Sequence, residues 1–324
     1  MTESFSLNHP AQALPFLQLI PEYRDYMWGG DRLRPGQLTA EAWVIYENNR
    51  VAAGGAFSGR KLSDLVTEYG QALLGRRPFQ QTGARFPLLV KLLDCVQWLS
   101  IQVHPNDEQA QRLEGPGFFG KTEAWHVLEA SPDATLIAGS KPGVSPERLM
   151  DAIRNGTIVE QLQVSPVSQG DTIFIRPGTI HALGPGLLIY EIQQTSDLTY
   201  RVFDWNRPLS AGRTLHIDKS LDVSDPLASA APIPLPDLAH TQQVLLTQCS
   251  YFQLEMLVME SEPVKLATTG ESFQALTVIE GQATLKSERE ELTLNRFESL
   301  IVPASYGAYE IHPQGALRLL KASV

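Results

Sequence analysis

Alternating apolar and polar positions dominate this chain, and that period of two predicts strands. Residues 88–95 and 98–104 read as strands. In the second, Leu99, Ile101 and Val103 share one face while Ser100, Gln102 and His104 share the other. Further strands are predicted at 41–47, 125–128, 135–138, 171–175, 187–192 and 198–203. Helical spacing is confined to a few segments. Residues 62–74 place Leu62, Leu65, Tyr69 and Leu73 on or near one face. Asn106 is a good cap for a short helix over 106–113, which Gly115-Pro116-Gly117 stops. Ser145 followed by Pro146 opens a helix reaching about Asn155, and 158–162 forms a second short helix.

The stretch 225–237 holds four prolines and little periodicity. It marks a linker, so the chain is expected to divide into units 1–224 and 240–324 around 225–239. Beyond it, strands at 251–259, 273–280, 282–287, 299–302 and 317–321 suggest an all-β sandwich or barrel. A faint repeat lays 170–181 on 297–307, each a strand ending in a proline turn. Gly307 stands where the first copy has His181.

Composition narrows the partners. The chain has 324 residues, enough for two β-rich cores, with 43% apolar content and a net charge of −10. That charge argues against nucleic acid and anionic membranes, which need basic surface. It leaves room for an anionic metabolite held by a few focused lysines and arginines. Cys95 and Cys249 are the only cysteines and form no CxxC pair. Residues 1–21 contain no signal-peptide pattern, and the apolar stretch 86–103 is broken by Lys91 and Asp94. A cytoplasmic protein is expected; the oligomeric state is left open.

The candidate chemistry follows from strand parity. His104, Glu123 and His181 are able to converge with Gln102 inside a β-barrel. Two imidazoles, a carboxylate and a neutral oxygen suit zinc, with room for substrate or water. The competing reading is a polar core network of Gln102, His104 and Glu123. Lys121 lies two residues before Glu123, on the same face. Lys91 is either an edge-strand lysine or a buried cation facing an anion. Glu191, inside an apolar run, needs a partner or a function. Arg201 either pairs with an acid or binds phosphate through its planar fork. His9, His126, His216, His240 and His312 stand outside these patterns. Trp28-Gly29-Gly30 reads either as a tight turn near the cavity mouth or as a simple loop, with the loop favoured.

Taken together, 86–91, Ser100 to Pro105, Lys121-Thr122-Glu123, Pro177 to Ala182 and Glu191 to Arg201 resemble the type I mannose-6-phosphate isomerases of the cupin superfamily. The match is to the shorter bacterial form. The resemblance implies a mainly β fold of two cupin-type jelly-roll barrels with a small helical insertion, the second barrel lacking a metal site. It implies one Zn2+ per chain on Gln102, His104, Glu123 and His181. It implies interconversion of mannose 6-phosphate and fructose 6-phosphate through a cis-enediol, with Arg201, Glu191 and Lys121 catalytic. Ser100, Lys91, Lys121 and Arg201 match substrate-binding positions. Two other functions compete: a non-catalytic sugar-phosphate-binding cupin, and an iron-dependent cupin dioxygenase. Lys121, Glu191 and Arg201 argue against the first, and Gln102 in place of a third histidine argues against the second.

Overall fold

A computed structural model describes residues 14–208, 213–236, 238 and 243–324; His9 and His240 lie outside these residues. The expected mainly-β, two-barrel architecture is what the chain adopts, in four antiparallel sheets. The first unit's large sheet runs in the order Thr172–Ile175, Glu123–Ala130, Leu187–Gln194, Leu88–Cys95, Glu41–Ile45, Glu22–Arg24. Its small sheet runs Tyr200–Phe203, Ile101–Val103, His181–Leu183, Thr135–Ser140, Leu162–Pro166.

The second unit repeats this plan. Its large sheet runs Ser299–Val302, Gln274–Glu280, Leu317–Ser323, Gln253–Met259, Gln243–Gln248, and its small sheet Val264–Ala267, Ala308–Pro313, Ala283–Lys286, Glu291–Leu294. Each strand takes the place of one in the first unit, in the same chain order. The faint repeat seen in the sequence is therefore one loop of a duplicated topology: 170–181 and 297–307 both cross from a large sheet to a small one.

The two large sheets share a core. Even-numbered residues of the central strands, including Leu88, Val90, Leu92, Tyr190 and Ile192, pack with Leu254, Met256, Phe273, Ala275 and Leu320. Odd-numbered residues, such as Leu93, Ile189 and Trp125, face into the first barrel. The period of two thus assigns one face to the joint between units and the other to the cavity. Helices Pro146–Asn155 and Ile217–Val223 cover the outer face of the small sheet through Leu149, Ile153 and Val223.

The division at 225–239 is not a clean partition of hydrogen bonding. Strands Leu17–Leu19 and Val51–Ala53 extend the second unit's large sheet, with Leu17 opposite Ile301. The linker lies along the first unit: Ile233 and Thr172 exchange both backbone hydrogen bonds at 2.9 Å.

Local signals explain most elements. Asn106 and Gln109 form a reciprocal capping box on helix Asp107–Glu114, and Ser145 caps Pro146–Asn155. The expected helix over 62–74 is instead Leu62–Tyr69 and Gln71–Leu74, because Gly70 adopts φ +46° between them. The expected short helix at 158–162 is a 3-10 turn, Ile158–Gln161.

Candidate metal centre and cavity

Three segments of the first barrel bring the candidate ligands together. His104 follows strand Ile101–Val103, Glu123 opens Glu123–Ala130, and His181 opens His181–Leu183. All three are buried, and their ligand atoms lie within 4.8 Å of one another. His181 Nε2 is 3.2 Å from Glu123 Oε1, and His104 Nε2 is 3.5 Å from Glu123 Oε2. Each ring is fixed from behind: His104 Nδ1–H donates to the Leu198 carbonyl and His181 Nδ1–H to that of Thr179, both at 2.8 Å. This leaves the Nε2 lone pairs aimed at one point. Gln102 sits opposite His181 in the sheet, its amide 3.3 Å from His181 Nε2.

The polar network read as an alternative from the sequence does not satisfy these groups. His104 Nε2 and Glu123 Oε1 are buried without a hydrogen-bond partner, while Glu123 Oε2 has the Lys121 ammonium at 3.1 Å. Such atoms are costly unless a ligand takes them. Burial, with Lys121 nearby, holds His104 well below the usual histidine range. Burial also lowers His181 to about 4, against the bond from its Nδ1 to Thr179. Both are thus neutral imidazoles at pH 7, the form a metal requires. Burial pushes Glu123 up to about 7, with Lys121 opposing. The donor set fits a divalent cation. Among the described residues no other group of His, Cys, Asp or Glu meets the same criterion.

Gln102 faces a cavity of about 800 Å3, and Lys91, Ser100, Lys121, Glu191 and Arg201 line it too. Every site residue expected from the sequence therefore lies in this cavity or in the cluster behind it. Lys91 is not an edge lysine. Its strand is flanked by Glu41–Ile45 and Leu187–Gln194, and its Nζ lies 3.1 Å from Glu191 Oε1. Burial favours its neutral form, but Glu191 and Glu41 outweigh that and hold it charged. Glu191 also accepts from Trp125 Nε1 at 3.0 Å. Burial acts against its ionisation, yet Lys91 and Lys121 bring it down to about 2. Lys121 Nζ reaches Glu123 Oε2 at 3.1 Å. Arg201 donates from Nε to Ser100 Oγ at 3.2 Å and from Nη1 to the Thr214 carbonyl at 3.0 Å.

The sequence reading missed Glu41, Trp43, Arg213 and His216, all of which line the cavity. Trp43 was legible in principle, since it sits opposite Lys91 in the sheet and its indole donates to Glu41 at 2.6 Å. Trp28 is more than a loop residue. A Cβ on Gly29 would lie 2.5 Å from Ala40 backbone, and one on Gly30 2.5 Å from Asp94 Oδ2. Only glycine permits this close turn, which carries Trp28 to the cavity wall.

The chain is similar to known proteins over most of its length. The family model for the phosphomannose isomerase type I catalytic domain matches residues 16–117, and that for the mannose-6-phosphate isomerase cupin domain matches 241–321. Mannose-6-phosphate isomerase ManA of Bacillus subtilis (strain 168) is 34% identical over 309 residues, covering 90% of this chain and 94% of its own. A mannose-6-phosphate isomerase of Streptococcus mutans is 34% identical over 299 residues, covering 88% and 91%. A crystal structure of the Bacillus subtilis mannose 6-phosphate isomerase superposes with a TM-score of 0.84 at 31% identity, over 96% of this chain and 100% of that one.

Proposed function

Because this chain belongs to the family of type I mannose-6-phosphate isomerases, we propose that it interconverts mannose 6-phosphate and fructose 6-phosphate through a cis-enediol. His104, Glu123 and His181, with Gln102, are the residues to hold the metal, and a nitrogen and oxygen donor set of this kind favours zinc. When bound, zinc polarises or positions the sugar oxygens beside the reacting carbons.

The chain's own groups supply the rest. Isomerisation moves a proton between C2 and C1, and we assign that transfer to Glu191 or Lys121, both of which line the cavity. Glu191 is ionised at neutral pH and so is ready to accept. Lys91 stays charged beside it and offers an ammonium to developing oxyanion charge. Arg201 keeps its proton, as guanidinium groups do, and serves substrate charge rather than proton abstraction. Ser100 holds Arg201 Nε and is available to the same substrate oxygens.

One observation carries this reading: two neutral imidazoles converge with a buried carboxylate, one of whose oxygens has no hydrogen-bond partner, behind a cavity lined by Lys91, Glu191, Lys121 and Arg201. The free thiols of Cys95 and Cys249 fit a cytoplasmic setting. The test is a coupled isomerase assay of the purified, zinc-loaded protein on mannose 6-phosphate, with metal analysis of the same sample. Turnover with one zinc per chain is expected. Substrate binding without turnover would favour the non-catalytic sugar-phosphate-binding cupin.

A further inference from the structure

The cavity-lining Arg201 and Arg213 belong to a cluster with a charge imbalance. Asp204 takes Arg213 through Nε and Nη2, at 2.5 and 3.1 Å, and Arg207 through Nη1 at 3.0 Å. Arg201 lies close enough to feel both Arg213 and Asp204, yet among the described residues no carboxylate comes within 4 Å of it. Three guanidiniums therefore face one carboxylate, an excess of two positive charges. The acids around the cavity do not correct this. Glu22 is bonded to Arg24, Asp25 to Arg34 and Glu191 to Lys91, Glu41 accepts the Trp43 indole and acts on Lys91, and Asp197 is exposed at the rim.

Free donors collect at the same place. Arg201 Nη2 and Arg213 Nη1 have no hydrogen-bond partner among the described residues. His216 accepts the Arg201 backbone N–H on Nδ1 at 3.2 Å. Its neutral ring therefore carries the proton on Nε2, as a donor lining the cavity.

We infer that Arg213, with Arg201 and the Nε2–H of His216, seats the phosphate of the substrate, and that Asp204 holds Arg213 in place for it. The inference rests on the sugar-phosphate reading above and adds the residues that select for phosphate. A phosphate monoester carries about −1.5 to −2 at pH 7, which matches the excess charge. Arginine forks suit its oxygens. With the phosphate there, the sugar chain extends inward to Ser100, Gln102 and the Lys91–Glu191 pair, so Arg213 sets specificity at a distance from the reacting carbons.

The test uses the full, metal-loaded chain, with Arg213→Gln and Arg213→Lys as variants. Calorimetry with inorganic phosphate is expected to show binding that weakens roughly ten- to a hundredfold in Arg213→Gln. The ratio of kcat/KM for mannose 6-phosphate over unphosphorylated mannose falls by a similar factor, chiefly through KM. Arg213→Lys keeps the charge, loses the fork and falls between; it decides the matter if Arg213→Gln does not fold. Unchanged phosphate affinity, as for phosphate held by the metal alone, would overturn the inference. So would an equal loss on both substrates through kcat, which marks a structural prop. A parent that binds phosphate through Arg213 but isomerises nothing would overturn the proposed function and leave this site standing.

Discussion

Replacing Glu191 by Gln keeps the side chain's size and removes one charge from a buried pair. Lys91 Nζ and Glu191 Oε1 are 3.1 Å apart, with side chains 8% and 5% exposed. At an effective dielectric constant of about 20, Coulomb's law gives about 5 kcal/mol for such a contact. That attraction is set against the desolvation of both ions, so the net worth of the pair is much smaller. Breaking it is another matter, because the survivor stays buried without its partner, at a cost of about 3–5 kcal/mol. Glu41 remains near Lys91 and Lys121 remains near Glu191, which places each single variant at the low end, about 3 kcal/mol.

The double variant Lys91→Met/Glu191→Gln removes both charges and leaves neither stranded. It should be less destabilised than the sum of the singles, with a coupling of about 2 kcal/mol. Urea unfolding of the parent, both singles and the double, all zinc-loaded at pH 7, measures this directly. Strict additivity would refute the account of the pair as mutually compensating. Catalysis is read separately in the folded variants. Glu191→Gln should slow turnover about 100- to 10,000-fold with zinc retained, the usual cost of losing a proton-transfer group. Solvent deuterium exchange at C2 as fast as in the parent would remove Glu191 from that role and leave it to Lys121, tested as Lys121→Met.

The other predictions concern the metal, the arginine and acid stability. His104→Ala and His181→Ala should each lose zinc and activity together, and unchanged metal content in both purified variants would sink the site assignment. The parent should bind one metal per chain by elemental analysis, with a second tightly bound ion within 240–324 as the contrary result. Arg201→Lys should remain impaired despite its charge, because the fork to Ser100 and Thr214 is lost; parent-like kcat/KM would contradict this. Burial, helped by Arg318, lowers His126 from 6.5 to about 4. The unfolded chain thus binds the extra proton between those values, so the stability present above pH 6.5 is lost as pH falls through 4. The loss is about 3 kcal/mol, and unfolding midpoints of His126→Gln across this range should show a shallower slope than the parent.

Much of the fold was legible where segments are long enough to show their period. Strand Leu88–Cys95 has the bounds read for it from the sequence, where Lys91 interrupts an apolar run, and Ser145-Pro146 opens the helix it signals. Strand parity put Ser100, Gln102 and His104 on one face and Lys121 beside Glu123, but it left Lys91, Glu191 and Arg201 open, and only the family resemblance assigned them to the site. What escaped was decided by distant neighbours. Strands Leu17–Leu19 and Val51–Ala53 have three residues each, too few to display alternation, and form because the second unit offers an edge at Ser299–Val302. Whether Lys91 was an edge lysine or a buried cation depended on which strands flank it, a question of pairing that its own segment does not answer. His216 reached the cavity through a hydrogen bond to Arg201, with no pattern of its own to announce it.

The duplicated topology shows how the two barrels differ at the positions of the candidate ligands. In the first copy His104 follows a small-sheet strand, Glu123 opens a large-sheet strand, and His181 opens the next small-sheet strand. The corresponding strands of the second copy are Val264–Ala267, Gln274–Glu280 and Ala308–Pro313. There Thr268 follows the first, Gln274 opens the second, and Gly307 precedes the third. These residues satisfy one another instead of presenting lone pairs: the Gly307 N–H donates to Thr268 Oγ1 at 3.0 Å, and the Tyr309 hydroxyl donates to Gln274 Oε1. Phe16, sent across from the N-terminal segment, fills the interior by stacking on Tyr306 at 4.4 Å. Among the described residues this barrel therefore presents no counterpart of the His104, Glu123 and His181 cluster. It is free to serve as the packing surface behind Tyr190 and Ile192, on the reverse side of the strand that presents Glu191 to the cavity.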